Sequence, residues 1–282
     1  MTAPLAPHLV DELVRRTLAE DLGLAGDVTT DAAIAAQARG VGEIVARQAG
    51  TVAGLTVALA VFPVLDGGVT ISPEVADGDP VAAGTLLARV QGPTRALLTG
   101  ERAALNLLGH ASGIATATRA VVDAVAGTGA RIIDTRKTSP GLRALEKHAV
   151  RCGGGHNHRF GLFDAVMLKD NHLVAAGGIH PAVAAVRAKV GHTVHVEVEV
   201  DELEQVHEAV AAGADSILLD NLGDDELRGA VELVAGRAIT EASGGISPDR
   251  AAAVARTGVD VISLGWLTHS APRLDVALDL QG

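Results

Sequence analysis

From about residue 130 onward, short apolar runs recur along the chain, and each closes on polar residues. They are Arg131–Asp134, Ala165–Lys169, Val194–Val200, Ser216–Asp220, Ala238–Glu241 and Asp260–Leu264. Between several of them lie stretches with apolar residues at helical spacing, for example Ile179–Val190, Leu203–Ala212 and Pro248–Thr257. Strand, loop, helix, strand is the signature of βαβ units on a parallel sheet. At least six strands in about 150 residues predict a (β/α) barrel, short or incomplete against the usual ~250 residues. A doubly wound open sheet is the alternative. No G-x-G-x-x-G follows the first strand, so the dinucleotide fingerprint is missing.

Up to about residue 100 the pattern is mixed. Residues 8–20 place Leu9, Leu13, Val14 and Leu18 on one helical stripe. Strand-like pieces follow at Val41–Ala46, Val69–Ser72 and Leu86–Val90, separated by turn residues such as Asp77-Gly78-Asp79-Pro80. This stretch resembles the hammerhead of biotinyl and lipoyl carrier domains. A carrier needs an acceptor lysine at a hairpin tip, and no lysine precedes Lys137. A small scaffold or lid domain is the reading that remains.

The polar residues that close the later runs carry the chemistry. They are Arg136 and Lys137, Lys169 with Asp170-Asn171-His172, Glu197 or Glu199, Asp220-Asn221, Glu241 to Gly245, and Gly265. In a barrel all of them converge on the C-terminal mouth, where active sites lie. Chance would scatter such groups over both ends of the strands, so the convergence points to an enzyme.

Charge sharpens this picture. Residues 131–169 hold eight Lys and Arg against three acids, a formal +5, in a chain whose total is −11. The protein has four lysines, and three fall in this island. A basic island inside a folded pattern of an acidic protein calls for a small polyanionic ligand rather than nucleic acid or an anionic membrane. The single cysteine, Cys152, excludes an internal disulfide framework and any CxxC metal site. The first residues lack the basic and apolar regions of a secretory signal, and the most apolar run, Val52–Leu65, is too short to span a bilayer. A cytoplasmic protein is expected.

Individual motifs refine the expectation. Arg136, Lys137, Arg159 and Lys169 form the candidate anion cradle, since Arg offers a planar fork and Lys a compact charge. Arg143, Lys147 and Arg151 repeat at i+4 and read as the outer face of a helix. In Gly153-Gly154-Gly155-His156-Asn157-His158 the two histidines suit metal ligation, but three glycines fit a loop of approachable amides for phosphate or carboxylate better. Ser243-Gly244-Gly245 ahead of Ser247-Pro248 builds a helix N-terminus able to hold phosphate, with Gly265 beside it. Glu199 and Asp220 suit Mg²⁺ held through water and phosphate oxygens, ribose hydroxyls, or neutralisation of the neighbouring lysines.

The chain closely resembles the quinolinate phosphoribosyltransferase family. The matching stretches include EDLGLAGDVTT at 20–30, ERAALNLLGHASGIAT at 101–116, DTRKTSPGLRALEKHAV at 134–150, GGGHNHRFGLFDAVMLKDNH at 153–172, EVEV at 197–200, LLDN at 218–221, EASGGIS at 241–247 and GVDVISLGWLTHS at 258–270. The resemblance implies an α/β fold: an N-terminal α/β sandwich over 1–112, with 271–282 a candidate to join it, and an incomplete α/β barrel over 113–270. It further implies a homodimer and Mg²⁺-dependent use of phosphoribosyl pyrophosphate, with quinolinate decarboxylated to nicotinate mononucleotide in NAD biosynthesis. Thr135, Arg136, Lys137, His158, Arg159 and Lys169 would hold quinolinate and pyrophosphate. Glu199 and Asp220 would serve the ribose and magnesium, and Lys137, Lys169, Glu199 and Asp220 form the catalytic set. Ser243, Gly244, Gly245, Leu264, Gly265 and Trp266 would surround the 5′-phosphate, and Arg102 would reach into the neighbouring subunit. His148 and Trp266 depart from the residues usual at their positions. A sister enzyme on another aromatic carboxylate, a Schiff-base aldolase on Lys169 and a non-catalytic phosphosugar sensor are the rival readings.

Overall fold

A computed structural model describes residues 3–281. In chain order, helices α1 (Pro7–Leu22) and α2 (Val28–Ala33) precede strands β1 (Arg39–Ala46) and β2 (Gly50–Thr51). Helices α3 (Leu55–Leu59) and α4 (Val61–Leu65), strands β3 (Thr70–Pro73), β4 (Pro80–Val81) and β5 (Leu86–Pro93), and the long helix α5 (Thr94–Ala124) follow. Next come β6 (Arg131–Ile133), α6 (Arg143–Cys152), β7 (Val166–Leu168), α7 (Asp170–Ala176) and α8 (Ile179–Arg187). Strand and helix then alternate through β8 (Val196–Val200), α9 (Leu203–Ala212), β9 (Ser216–Asp220), α10 (Asp224–Val234), β10 (Ile239–Ser243), α11 (Pro248–Ala255), β11 (Val261–Ser263), α12 (Trp266–His269) and β12 (Val276–Gln281).

The chain divides into two compact units. The first gathers the residues up to Arg119, Thr138–Gly154 and those from Leu267 on. Its sheet runs β12-β1-β5-β3, antiparallel throughout, so the last strand lies against the first. The predicted stripe of α1 is the face that sinks inward: Leu13, Val14 and Leu18 are buried, alongside Phe62, Leu87, Leu97 and Leu108. Helix α5 carries glycines where another stretch of backbone crosses it. A Cβ on Gly113 would lie 2.1 Å from the Pro272 carbonyl oxygen, and one on Gly109 would lie 2.8 Å from that of Leu274. Leu274 N–H donates to the Gly109 carbonyl at 2.9 Å, so the close approach is also a hydrogen bond.

Helix α6 corrects one expectation. Lys147 does not face solvent; it is 2% exposed, and Leu145 to Val150 are buried without a break. Glu146, also buried, accepts a hydrogen bond from the Ser139 N–H and contacts His110 Nε2 at 2.9 Å. The i+4 spacing marks a common face of a helix but says nothing of what covers it.

The second unit comprises Ala120–Lys137 and Gly155–Trp266. Its six strands are ordered β6-β11-β10-β9-β8-β7, and every neighbouring pair is parallel. The last strand of the series pairs with the first, as in a closed barrel, but β6 and β7 are not joined. This is a barrel opened between β6 and β7, incomplete as the sequence predicts. His156 makes an isolated parallel bridge to Ile133 on the β6 side of that opening. Among the described residues no helix is long and apolar enough to cross a membrane.

Candidate active site

Strand periodicity decides which side chains enter the barrel. Glu199 of β8 stands in register with Leu218 of β9, and Leu218 with Glu241 of β10. One period earlier, Met167 stands opposite Glu197 and Glu197 opposite Ser216. One period later, Asp220 stands opposite Ser243. Residues in register on adjacent strands share a face, and residues two apart on one strand share it too. Layers of inward side chains result, and the upper layers are polar.

They open into a cleft of about 340 Å³ lined by Thr135, Arg136, Lys137, His158, Arg159, Met167, Lys169, Glu199, Leu218, Asp220, Glu241, Ser243 and Ser263. The four cations proposed as an anion cradle are therefore neighbours, although 33 positions separate Arg136 from Lys169. Three of them are held by local contacts. Thr135 Oγ1 accepts the Lys137 N–H at 3.0 Å, fixing the turn after β6. His172 Nδ1 accepts the Lys169 N–H at 3.0 Å, so the residue just past β7 also caps α7. Arg159 Nη1 donates to the Ala165 carbonyl at 3.2 Å. The Asp164 carboxylate gathers the N–H groups of Phe160 and Gly161, which ties off the same loop.

The Gly-rich stretch is anchored by a carboxylate. Buried Asp134, just past β6, accepts the His158 N–H at 2.9 Å and the Asn157 side-chain amide at 2.6 Å. The donor atoms that neighbour His158 belong to Glu197 and Glu241, not to His156.

Electrostatics follow from this crowding. Burial first, and the like charge of Arg136 second, lower the pKa of the Arg159 guanidinium. Arg136 Nε is buried without a hydrogen-bond partner, which leaves a donor for an anion. Lys169 Nζ is paired with Glu199 Oε2. Beneath them, His158 Nδ1 accepts the Arg159 N–H, so Nε2 carries the proton and donates to Glu197 Oε2 at 3.0 Å. Ser216 Oγ donates to Glu197 Oε1 at 3.0 Å. Burial pushes the Glu197 carboxyl up, but these hydrogen bonds more than offset it and hold the group low. Glu241 has the opposite fate: burial and the Glu197 carboxylate push it up to about 8.

The remaining expected residues lie elsewhere. Gly244 and Gly245 follow β10 with φ of +94° and +58°, and neither lines the cleft. Leu264 is buried, and its N–H donates to the Ile133 carbonyl at 3.0 Å, continuing the β11–β6 pairing. Gly265 follows it, and Trp266 opens α12. Trp266 Nε1 donates to the Ile246 carbonyl at 3.1 Å, which ties the turn after β11 to the loop after β10. Arg102 is exposed on α5, in the first unit, and is not among the cleft residues. Sequence reasoning placed Glu241 at the barrel mouth without a role of its own and did not single out Met167, Leu218 or Ser263. The available signal was period two, because Glu241 is two positions before Ser243 on one strand.

Fold and cleft together define an open-barrel protein built to hold a small anionic molecule among cations and carboxylates. The sequence matches the quinolinate phosphoribosyl transferase N-terminal domain over residues 27–112 and the C-terminal domain of the same family over residues 114–279. The chain belongs to this family. It is 47% identical to the nicotinate-nucleotide pyrophosphorylase [carboxylating] of Mycobacterium leprae, across 95% of this chain and 96% of that one. It is 45% identical to the probable nicotinate-nucleotide pyrophosphorylase [carboxylating] of Bacillus subtilis, across 97% and 94%. The NadC crystal structure from Streptococcus pyogenes superposes with a TM-score of 0.95 at 42% identity, covering 99% of both chains.

Proposed function

We propose that the protein transfers the phosphoribosyl group of phosphoribosyl pyrophosphate to the ring nitrogen of quinolinate. The products are nicotinate mononucleotide, pyrophosphate and CO₂, in NAD biosynthesis. The observation that carries this reading is one cleft lined by Arg136, Lys137, Arg159 and Lys169 together with Glu199 and Asp220. Two substrates with several negative charges between them need such a set, and family membership narrows which substrates they are.

No protein nucleophile is needed. As pyrophosphate leaves C1 of the ribose, positive charge builds on the sugar and the pyridine nitrogen attacks from the other face. Positioning the two substrates can supply roughly 7–11 kcal/mol, and Lys137 and Lys169 stabilise the charge on the departing group. Arg136 and Arg159 grip the quinolinate carboxylates, a task suited to planar forks. Ser243 with Gly244, Gly245, Leu264, Gly265 and Trp266 surrounds the 5′-phosphate. Glu199 and Asp220 offer hard oxygen donors that suit Mg²⁺ held partly through water. When bound, the ion neutralises pyrophosphate oxygens. The ribosylated ring nitrogen is cationic and withdraws electrons from C2, which allows the 2-carboxylate to leave as CO₂. The proposal extends to a cytoplasmic homodimer in which Arg102 of one subunit completes the other's site.

Release of CO₂ and pyrophosphate from quinolinate, compared with nicotinate and orotate, tests the reading. Turnover of quinolinate alone supports it, and turnover of orotate with no CO₂ sinks it.

A further inference from the structure

The reaction proposed above consumes a proton at ring carbon C2, and a proton must be stored within reach. The Glu241 side chain fits that requirement. It lines the cleft at 4% exposure, and its Oε1 is buried without a hydrogen-bond partner. His158 Nε2 lies 3.7 Å from that oxygen, beyond hydrogen-bond reach, and directs its proton to Glu197 instead. We propose that Glu241 is the catalytic acid that delivers a proton to C2 once CO₂ has left, an assignment that rests on the phosphoribosyl-transfer reading.

Arg136 Nε and Ser263 Oγ are the other cleft-lining groups with a buried, unpartnered atom, and guanidinium and alcohol are far too weak as acids at neutral pH. Lys169 is engaged with Glu199. Glu241 is faced by Glu197 of β8, His158 of the Gly-rich loop and the Ser263 side chain of β11, with Leu218 of β9 and Val261 of β11 in register beside it. Glu197 takes the Ser216 hydroxyl and the His158 Nε2 proton, so neither donor is directed at Glu241. Two neighbouring buried carboxyls cannot both ionise cheaply, so Glu241 keeps its proton near neutrality.

The step balances. The bond between C2 and the carboxylate carbon breaks heterolytically, CO₂ departs, and the electron pair stays on C2 beside the cationic nitrogen. The O–H bond of Glu241 then breaks, its proton forms the C2–H bond, and a carboxylate remains. Repulsion from Glu197 drives that carboxylate to take a proton back from water.

Single-turnover measurement of pyrophosphate and nicotinate mononucleotide in the Glu241→Gln enzyme tests the assignment. Pyrophosphate release should stay within about threefold of the unsubstituted protein. Nicotinate mononucleotide should form roughly 10²-fold more slowly or worse, with N-ribosylated quinolinate accumulating. Nucleotide that keeps pace with pyrophosphate, or a parallel loss of both, overturns the assignment. If the variant is unfolded, the unsubstituted protein carries the test: nucleotide formation should fall behind pyrophosphate release as pH rises through about 8, and a constant ratio overturns it. An unsubstituted protein that releases no pyrophosphate from quinolinate overturns the functional reading itself, and this assignment with it.

Discussion

Asp134 and His158 are joined across 24 positions by a carboxylate that accepts a backbone N–H at 2.9 Å. The bond fastens the Gly-rich loop to the end of β6, and with it His158 and the neighbouring Arg159. Asp134→Ala strands the His158 N–H and the Asn157 amide, a loss of roughly 2–4 kcal/mol from unmet hydrogen bonds near a charge. Thermal melting should show that drop, and kcat/KM should fall with it. A variant that melts like the parent would mean the loop is held by other contacts.

Lys169 is expected to separate activity from stability. Its side chain is 44% exposed in the pair with Glu199, so the pair contributes less than about 1 kcal/mol to folding. Lys169→Ala should melt within a few degrees of the parent and lose roughly 10²-fold or more in kcat. Lys137→Ala, also at an exposed position, should behave alike. Near-normal turnover in either protein removes that lysine from the mechanism.

The Glu241 carboxyl should leave a mark on stability as well. Its folded pKa is raised from 4.5 to about 8. The contribution it makes is complete below pH 4.5 and is lost as pH rises through about 8. Glu241→Gln has no such dependence. The unfolding free-energy difference, variant minus parent, should therefore grow from pH 5 to pH 8 and level off above, reaching on the order of a few kcal/mol. A difference that stays flat over that range contradicts the raised pKa.

Gly244 tests the loop after β10. At φ +94° a side chain is strained, and a Cβ there would lie 2.2 Å from Asn221 Oδ1 and 2.7 Å from the Asn221 backbone nitrogen. The Asn221 N–H donates to the Ser243 carbonyl at 3.0 Å, so Gly244→Ala must break that link or move the loop. KM for phosphoribosyl pyrophosphate should rise at least tenfold, a loss of about 1.4 kcal/mol, measured by initial rates. An unchanged KM separates this loop from phosphate binding.

Shared sites predict complementation. Chains carrying Arg102→Ala and chains carrying Lys169→Ala, each inactive alone, should regain part of the activity when mixed and reassembled. Confirmed heterodimers without recovery argue against Arg102 acting across subunits.

Much of the barrel was legible because its strands obey local rules. Ser216–Asp220 and Leu203–Ala212 have the bounds that their apolar pattern predicts. Thr135 to Lys137, Lys169, Glu199, Asp220 and Ser243 line one cleft because strand ends in a parallel barrel meet at one rim. Less legible was whatever depends on a partner far along the chain. The apolar pattern predicts no element over the 31 residues of α5, where Gly109 and Gly113 serve a crossing backbone. Lys147 looked solvated because spacing cannot reveal a covering layer. Glu241 was placed at the mouth but given no role of its own, because its meaning comes from Glu197, two strands away in the sheet.

Strand β12 bonds along β1 from Val41 opposite Gln281 to Ala46 opposite Val276. More than two hundred residues must therefore leave the ribosome before the edge of β1 finds its neighbour. Until then that edge offers unsatisfied amides to any passing strand. Removing β12 should make freshly synthesised protein clump while the barrel's own sequence is untouched, so yield in the cell would be governed by residues remote from the chemistry.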